Sequence, residues 1–143
     1  MFENILVPFD LSGASMRAFN VALDIAEKYH SKITVITCVE GDAWHHKFYD
    51  SRIDEQLIKK QTKAAEKAME KMEIKANKSG IKIKLQILKS ISVVKDITSF
   101  AKTRKIDLII MSSHGRTGLD KLILGSVANG VIQQTKCPVL LLK

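Results

Sequence analysis

The sequence predicts an α/β fold, with an open, parallel, five-stranded β-sheet that carries helices on both faces. Three observations lead to this prediction. Short apolar runs alternate with longer amphipathic stretches through all 143 residues, in the order β-α-β-α-β-α-β-α-β. Most of these runs are continuous and rich in Val, Ile and Leu, as in strands that are buried on both faces. No linker, repeat or low-complexity segment interrupts the pattern, so we expect a single domain over residues 1–143.

The first strands and the helix between them are predicted from the first 39 residues. An apolar run at 4–9 is the first strand, and Pro8 is expected where its pairing stops, because proline has no amide hydrogen. Residues 12–15 supply candidate caps for a helix that extends to about residue 29. β-branched residues at 33–39 predict the second strand. The residues of this helix predicted to be buried are Ala18, Ala22, Ile25, Ala26 and Tyr29.

The rest of the chain continues the same alternation. The predicted elements are a helix at 53–78, a strand at 81–88, a helix at 92–103, a strand at 106–111, a helix at 126–135 and a strand at 138–142. Strict alternation in the third strand predicts an edge of the sheet, and Gly80 predicts the end of the long helix. The predicted inward residues of these helices are Ile53, Leu57, Ala64, Ala65, Ala68, Met72, Ala76, Val93, Ile97, Phe100 and Ala101.

Composition limits the class of protein and of partner. The net charge of +8 suits an anionic ligand or a nucleic acid, and charge alone does not choose between them. A lysine at every fourth position of the long helix, from 59 to 75, predicts a solvated face, so nucleic acid is not the expected partner. No apolar run is long enough to span a bilayer, the N-terminus is too short and acidic for a signal peptide, and a cytoplasmic location is expected. Cys38 and Cys137 fall at opposite ends of parallel strands, which predicts free thiols.

An anion site is predicted where the fourth strand ends. The apolar run stops at Ser112-Ser113-His114-Gly115, and nine residues later Gly125-Ser126 opens a helix. The first amides of a helix have no partner within the helix, and the helix dipole favours negative charge there. We interpret this as a phosphate cradle for a nucleotide, in which the glycines allow close backbone approach and positive φ. The alternative interpretation is that they are turn glycines.

This pattern resembles the universal stress protein family, whose nucleotide-binding members carry G-x-x-G, nine residues, then G-S or G-T. Ser112 stands at the first glycine, and the opening ILVPFDLSGAS at 5–15 also matches. The resemblance implies a Rossmann-like sheet of order 3-2-1-4-5, with a crevice between the first and fourth strands. It also implies ATP or AMP as ligand, with Mg or Mn possible beside ATP, at most slow ATP hydrolysis, and a homodimer formed through the last strand. The protein partner that would respond is unknown.

The resemblance further implies individual roles. Backbone amides from the two glycine segments would surround the phosphates, Asp10 would contact the adenosine, and the backbone of Val39 would read the adenine edge. His114 is expected to shape the loop or lie near the phosphates. The complete predicted binding set is Pro8, Asp10, Val39, Met111, Ser112, Ser113, His114, Gly115, Arg116, Thr117, Gly125, Ser126 and Val127. We predict no catalytic residue and no metal ligand.

Other interpretations remain open. Ser112 in place of glycine favours a module of the same fold that binds proteins rather than nucleotides. The cluster Trp44-His45-His46 is expected in a surface loop, because adjacent side chains rarely converge on one metal ion. An apolar arm is expected to be buried or to protrude toward a partner, and its residues are Leu119, Leu122, Ile123 and Leu124.

Overall fold

The computed structural model describes residues 1–41, 51–115 and 123–143, the side chains of residues 51 and 53 excepted. Its elements are β1 (Asn4–Pro8), α1 (Gly13–Tyr29), β2 (Lys32–Glu40), α2 (Ser51–Lys78), β3 (Ile83–Ser90), α3 (Val93–Thr103), β4 (Leu108–Ser112), α4 (Ser126–Gln134) and β5 (Val139–Leu142). All paired strands are parallel, in the order β3-β2-β1-β4-β5. The predicted fold class, strand order and edge position of β3 are therefore confirmed.

Each face of the sheet is covered by one pair of helices, which produces two separate cores. Phe19 of α1 and Met72 of α2 lie in the core on one face, together with the alternate residues Ile33 and Val35 of β2. On the other face α3 and α4 pack against the intervening residues of the same strands, among them Ile36. The alternation along β2 follows from the two-residue period of a strand. Within the described residues, no helix has the length and apolar content that crossing a membrane requires.

The sides on which the helices are buried differ from the prediction at several residues. Tyr29 is 51% exposed because it is the last residue of α1, where its ring packs edge-to-face on Phe2 at a centroid distance of 6.1 Å. Ala64 is exposed because the buried stripe of α2 runs through Ala65, one residue and about 100° away. The buried apolar residues that the prediction missed are Phe19 and Leu23 in α1, Met69 in α2, and Ala128 and Val131 in α4.

Several other predictions concern surface residues. The five lysines at positions 59, 63, 67, 71 and 75 are all exposed, as expected for a solvated face. Ile123 and Leu124 are exposed, whereas the rest of the predicted apolar arm and the Trp44-His45-His46 cluster lie outside the described residues. Cys38 and Cys137 are both free thiols, as predicted.

β1 separates from β4 before either strand ends, and this separation positions the site. The β1–β4 pairing comprises only Ile5 with Leu108 and Leu6 with Ile109. The amide of Phe9 donates to Ile36 on the β2 side at 2.8 Å, so the nitrogen of Pro8 faces β4. Because that nitrogen carries no hydrogen, the ladder toward β4 cannot continue there. Pro8 therefore lies where pairing stops, as predicted.

The start of α1 provides a stability test. The Ser12 hydroxyl accepts a hydrogen bond from the Ser15 amide at 3.0 Å and caps the helix. We expect Ser12→Ala to lower the free energy of unfolding by about 1 kcal/mol, because the amide loses its partner. Urea denaturation measures this change. Ser99→Ala, at an exposed position inside α3, is the control and should not destabilise the protein; equal losses in the two variants would contradict the capping role.

Candidate functional site

A crevice of about 320 Å³ opens at the carboxyl ends of the central strands, where β1 and β4 separate. Its volume is at the lower end of the range that holds small-molecule ligands. Strand order reverses at β1, and this is the position at which open α/β sheets bind ligands. The residues that line it are Pro8, Phe9, Asp10, Leu11, Ile36, Thr37, Cys38, Val39, Glu40, Gln61, Val93, Ile97, Met111, Ser112, Ser113, Gly115, Gly125, Ser126, Val127 and Ala128.

The two glycine segments of the predicted cradle are in direct backbone contact. The amide of Gly125 donates to the carbonyl of Ser113 at 2.8 Å. A Cβ at Gly125 would lie 2.9 Å from that same carbonyl oxygen, so only glycine fits without a shift of backbone. A Cβ at Gly115 would lie 2.9 Å from a carboxylate oxygen of Asp10. The chain itself therefore crowds both glycines, whereas their close approach to a phosphate stays a prediction.

The prediction of positive φ at these glycines is wrong. Gly125 has a φ of −59°, and Gly80 is the glycine with positive φ among the described residues. A Cβ added at Gly115 or Gly125 would lie within 3 Å of another atom, whereas a Cβ added at Gly80 would have no atom within 4 Å. At Gly125 glycine is required for space rather than for backbone conformation, whereas at Gly115 the close atom is the end of the Asp10 side chain.

The N-terminus of α4 faces the crevice without a side-chain cap. Gly125 is the N-cap residue and offers no side chain, and no side-chain hydrogen bond caps this helix in the described part of the chain. Ser126, the first helical residue, is exposed, and it lines the crevice together with Val127. The first amides of α4 thus remain available to an anion, which the helix dipole also favours.

Asp10 follows the end of β1 and lines the crevice. Leu11 has a φ of 67°, in the left-handed region, and this turn lets an Asp10 carboxylate oxygen accept from the Ser12 amide at 3.0 Å. The carboxylate also lies beside Gly115. A negative charge here disfavours a phosphate in direct contact and suits a hydroxyl donor such as a ribose.

His114 and its neighbour form a small hydrogen-bonded unit at the back of the loop. The Ser113 hydroxyl and His114 Nδ1 are 2.8 Å apart, and the Ser113 amide donates to Leu142 of β5 at 2.7 Å. His114 is not among the residues that line the crevice, and its role in shaping the loop or lying near the phosphates stays a prediction. Arg116 and Thr117 lie outside the described residues. The other members of the predicted set line the crevice.

The end of β2 forms the opposite part of the crevice. The carbonyl of Ile36 faces β1. Successive residues of a strand direct their backbone groups to opposite neighbours, so the N–H and C=O of Cys38 and Glu40 also face the β1 side. Val39 lines the crevice, but its own N–H and C=O face β3. Among the described residues no backbone bond to β1 continues at Cys38. The backbone N–H and C=O that are left without a strand partner on the crevice side therefore belong to Cys38 and not to Val39.

The sequence interpretation missed two polar residues of this part. Thr37 is 1% exposed, and its hydroxyl has no partner among the described residues. Gln61 reaches the crevice from α2 and bonds the backbone of Glu40. The β-branched Thr37 looks like any strand residue, and Gln61 is distant in sequence from the other lining residues. No group of three His, Cys, Asp or Glu residues that could hold a metal ion occurs in the described ranges.

The Cys38 thiol is held in its neutral form. Burial raises its pKa from 9.0 to about 12, and the negative charges of Asp96 and Glu40 act in the same direction. Burial likewise raises the pKa of the Cys137 thiol. Thiolate is the reactive species, so the crevice contains an unreactive thiol at neutral pH.

A pH titration tests this assignment. In a Cys137→Ser variant, the reaction of Cys38 with Ellman's reagent should be much slower than that of glutathione at pH 8, and its rate should still rise above pH 10. Because the folded pKa lies above the unfolded one, the stabilising contribution of the neutral thiol is complete below about pH 9 and decreases as pH rises toward 12. A rate that levels off near pH 9 would contradict the raised pKa.

Comparison with known proteins gives a consistent result. The family model described as universal stress protein family matches residues 1–143. A universal stress protein of Methanocaldococcus jannaschii is 32% identical over 145 residues, which cover 100% of this chain and 83% of that protein. The solved structure of universal stress protein UspA from Lactobacillus plantarum matches with a TM-score of 0.90 and 27% identity, covering 99% of this chain and 98% of that one.

More distant structures share the fold and contain nucleotides. A universal stress protein from Archaeoglobus fulgidus in complex with dAMP has a TM-score of 0.70 and 19% identity, with 100% of both chains covered. A family member from Arabidopsis thaliana with AMP bound has a TM-score of 0.70 and 18% identity, covering 98% of this chain and 90% of that one. At these identities the likeness shows a common fold, and the nucleotides are properties of those two proteins.

Proposed function

Since the chain belongs to the universal stress protein family, we propose that its crevice binds an adenine nucleotide, AMP or ATP, and that it acts as a nucleotide-responsive regulatory module. Binding would stabilise one arrangement of the crevice and thereby the surface that a partner contacts. Two distant relatives of the same fold were solved with AMP and dAMP, which supports this ligand class.

The observation that carries the proposal is the contact between Gly125 and Ser113. It brings the loop after β4 against the uncapped start of α4, so that the amides of Ser126 and Val127 can converge on one phosphate group while the Gly125 amide holds the loop. A cradle of this kind needs no side chain, since backbone amides and the helix dipole bind the anion.

The remaining parts of the crevice suit the rest of a nucleotide. The Asp10 carboxylate, which lines the crevice, accepts hydrogen bonds and suits a ribose hydroxyl. The free N–H and C=O at Cys38 form a neighbouring donor and acceptor, which match N1 and the N6 amino group of adenine. Guanine presents an oxygen at position 6 and a hydrogen at N1, so it would oppose both groups. We therefore propose that adenine is preferred over guanine.

Thermal unfolding with added nucleotide tests the function. A ligand at 100 times its dissociation constant stabilises the folded state by about 2.7 kcal/mol, which shifts the midpoint by several degrees. We expect such a shift with millimolar AMP or ATP and a much smaller one with GMP. Absence of a shift with AMP, ADP and ATP would refute nucleotide binding.

Ser112 gives a second candidate function, a protein-interaction module of the same fold. The residue stands at the first glycine of the motif and lines the crevice, 8% exposed. If its side chain blocks the ligand, the wild type should not bind AMP and Ser112→Gly should. If the nucleotide proposal is correct, wild type and variant should bind with similar affinity. Calorimetric titration of both proteins distinguishes the two functions.

We also propose that the module is a homodimer formed through β5. This strand is an edge of the sheet, and its four residues are only half-buried although all are apolar. An exposed apolar edge is prone to association unless it is paired. Sedimentation equilibrium should give twice the chain mass of 16.0 kDa, and a monomer at micromolar concentration would contradict the proposal.

A further inference from the structure

Gln61 connects α2 to the end of β2 through both polar atoms of its side chain. Its Oε1 accepts from the Glu40 amide at 3.2 Å, and its Nε2 donates to the Glu40 carbonyl at 3.1 Å. The side chain is half-buried and lines the crevice. Two hydrogen bonds to one residue fix both the position and the orientation of the carboxamide.

This contact decides which backbone groups remain free at the end of β2. Glu40 and Cys38 both direct N–H and C=O toward the β1 side, beyond the point where β1 stops pairing. A carboxamide offers a neighbouring donor and acceptor, as the edge of an adenine base does. Gln61 thus satisfies the pair at Glu40 and leaves the pair at Cys38 for a ligand.

The contact also holds the strand end in place. From Cys38 onward β2 is paired with β3 alone, since the bonds to β1 end at Ile36. A strand end with one neighbour opens locally at low free-energy cost. The bonds from Gln61 supply the missing restraint on the crevice side, two residues beyond Cys38.

We propose that Gln61 is a positioning residue for recognition of the base: it holds Glu40 and so fixes the N–H and C=O of Cys38 in the geometry that reads adenine. The proposal rests on the proposed nucleotide function and adds a residue to it. Without the restraint, part of the binding free energy is spent on ordering the strand end. Both hydrogen bonds of the Gln61 side chain go to Glu40 at the end of β2, so we expect its effect to be confined to ligands that carry the base.

The test compares two ligands in two variants. Gln61→Met keeps the length and the apolar stem of the side chain and removes both hydrogen bonds. Gln133→Met is the matched control, because Gln133 is an exposed glutamine of α4 whose side chain bonds within its own helix. Dissociation constants for AMP and for inorganic tripolyphosphate, which engages the cradle alone, are measured by calorimetry. Hydrogen exchange of the Cys38 and Val39 amides is measured without ligand.

We expect Gln61→Met to weaken AMP binding about tenfold and tripolyphosphate binding less than twofold, as two lost hydrogen bonds imply. The Cys38 and Val39 amides should exchange faster in this variant, and Gln133→Met should resemble the wild type throughout. Unchanged AMP binding, or equal weakening of both ligands, would overturn the positioning role. Tighter AMP binding would overturn it too, since the carboxamide would then compete with the base. Failure of the wild type to bind AMP refutes the function itself.

Discussion

Gly125→Val is expected to abolish nucleotide binding. The first added carbon would lie 2.9 Å from the Ser113 carbonyl oxygen, and the branched methyl groups need further space. That oxygen belongs to the backbone of a loop bonded to β5, so it cannot rotate away as a side chain can. The segments must separate, and the 2.8 Å bond that closes the cradle is lost. We expect at least about a hundredfold loss of AMP affinity, equivalent to about 2.7 kcal/mol.

The Gly125→Val variant should remain folded although it loses its affinity for AMP. Overpacking of this kind costs about 1–3 kcal/mol, within the stability of an ordinary domain, so the variant should remain folded. Gly13→Ala is the control, because the nearest atom to its new Cβ is the end of the Arg17 side chain at 3.9 Å. Thermal unfolding and calorimetry with AMP measure both effects. Wild-type affinity in folded Gly125→Val would show that the cradle is not the phosphate site.

Phe19→Ala is expected to cause the largest loss of stability. Phe19 is completely buried in the core between the sheet and the first two helices, and removing its ring leaves a cavity there. Such substitutions cost about 3–5 kcal/mol, a large part of the 5–15 kcal/mol that stabilises a typical domain. Urea denaturation should show a much lower midpoint.

The control for this prediction is Ile91→Ala, at a residue that is 79% exposed. It should change the free energy of unfolding by no more than about 0.5 kcal/mol. Similar losses for Phe19→Ala and Ile91→Ala would mean that Phe19 does not pack as described. A variant at Phe19 that is unfolded without denaturant agrees with the prediction and places the loss at its upper limit.

The fold could be predicted because its determinants are local. Alternating apolar runs and helical stretches identify strands and helices, and parallel connections restrict how they assemble. The sequence pattern determines the rotation of each helix about its axis less closely, as Phe19 and Tyr29 show. Phe19 lies beside the predicted face and is buried, whereas Tyr29 lies on that face and is exposed because α1 ends there.

The site was predictable where its residues are close in sequence to strand ends. Asp10, Ser113 and Gly125 follow or precede regular elements, and parallel topology brings those ends together. The contact between Gln61 and Glu40 could not be predicted, because it joins residues of α2 and β2 that are distant in sequence. Which neighbouring strand the backbone groups of Cys38 and Val39 face is likewise set by the register with β1.

Pro8 has a consequence for how the sheet can vary. Hydrogen-bonded pairing between β1 and β4 would tend to continue to the ends of both strands, since each hydrogen bond positions the groups that form the next one. The imino acid stops this propagation by covalent structure, independently of loop length or of side chains near the opening. Changes in the sequence of the surrounding loops can therefore alter the edge of the crevice, but they cannot close it by extending the β1–β4 pairing.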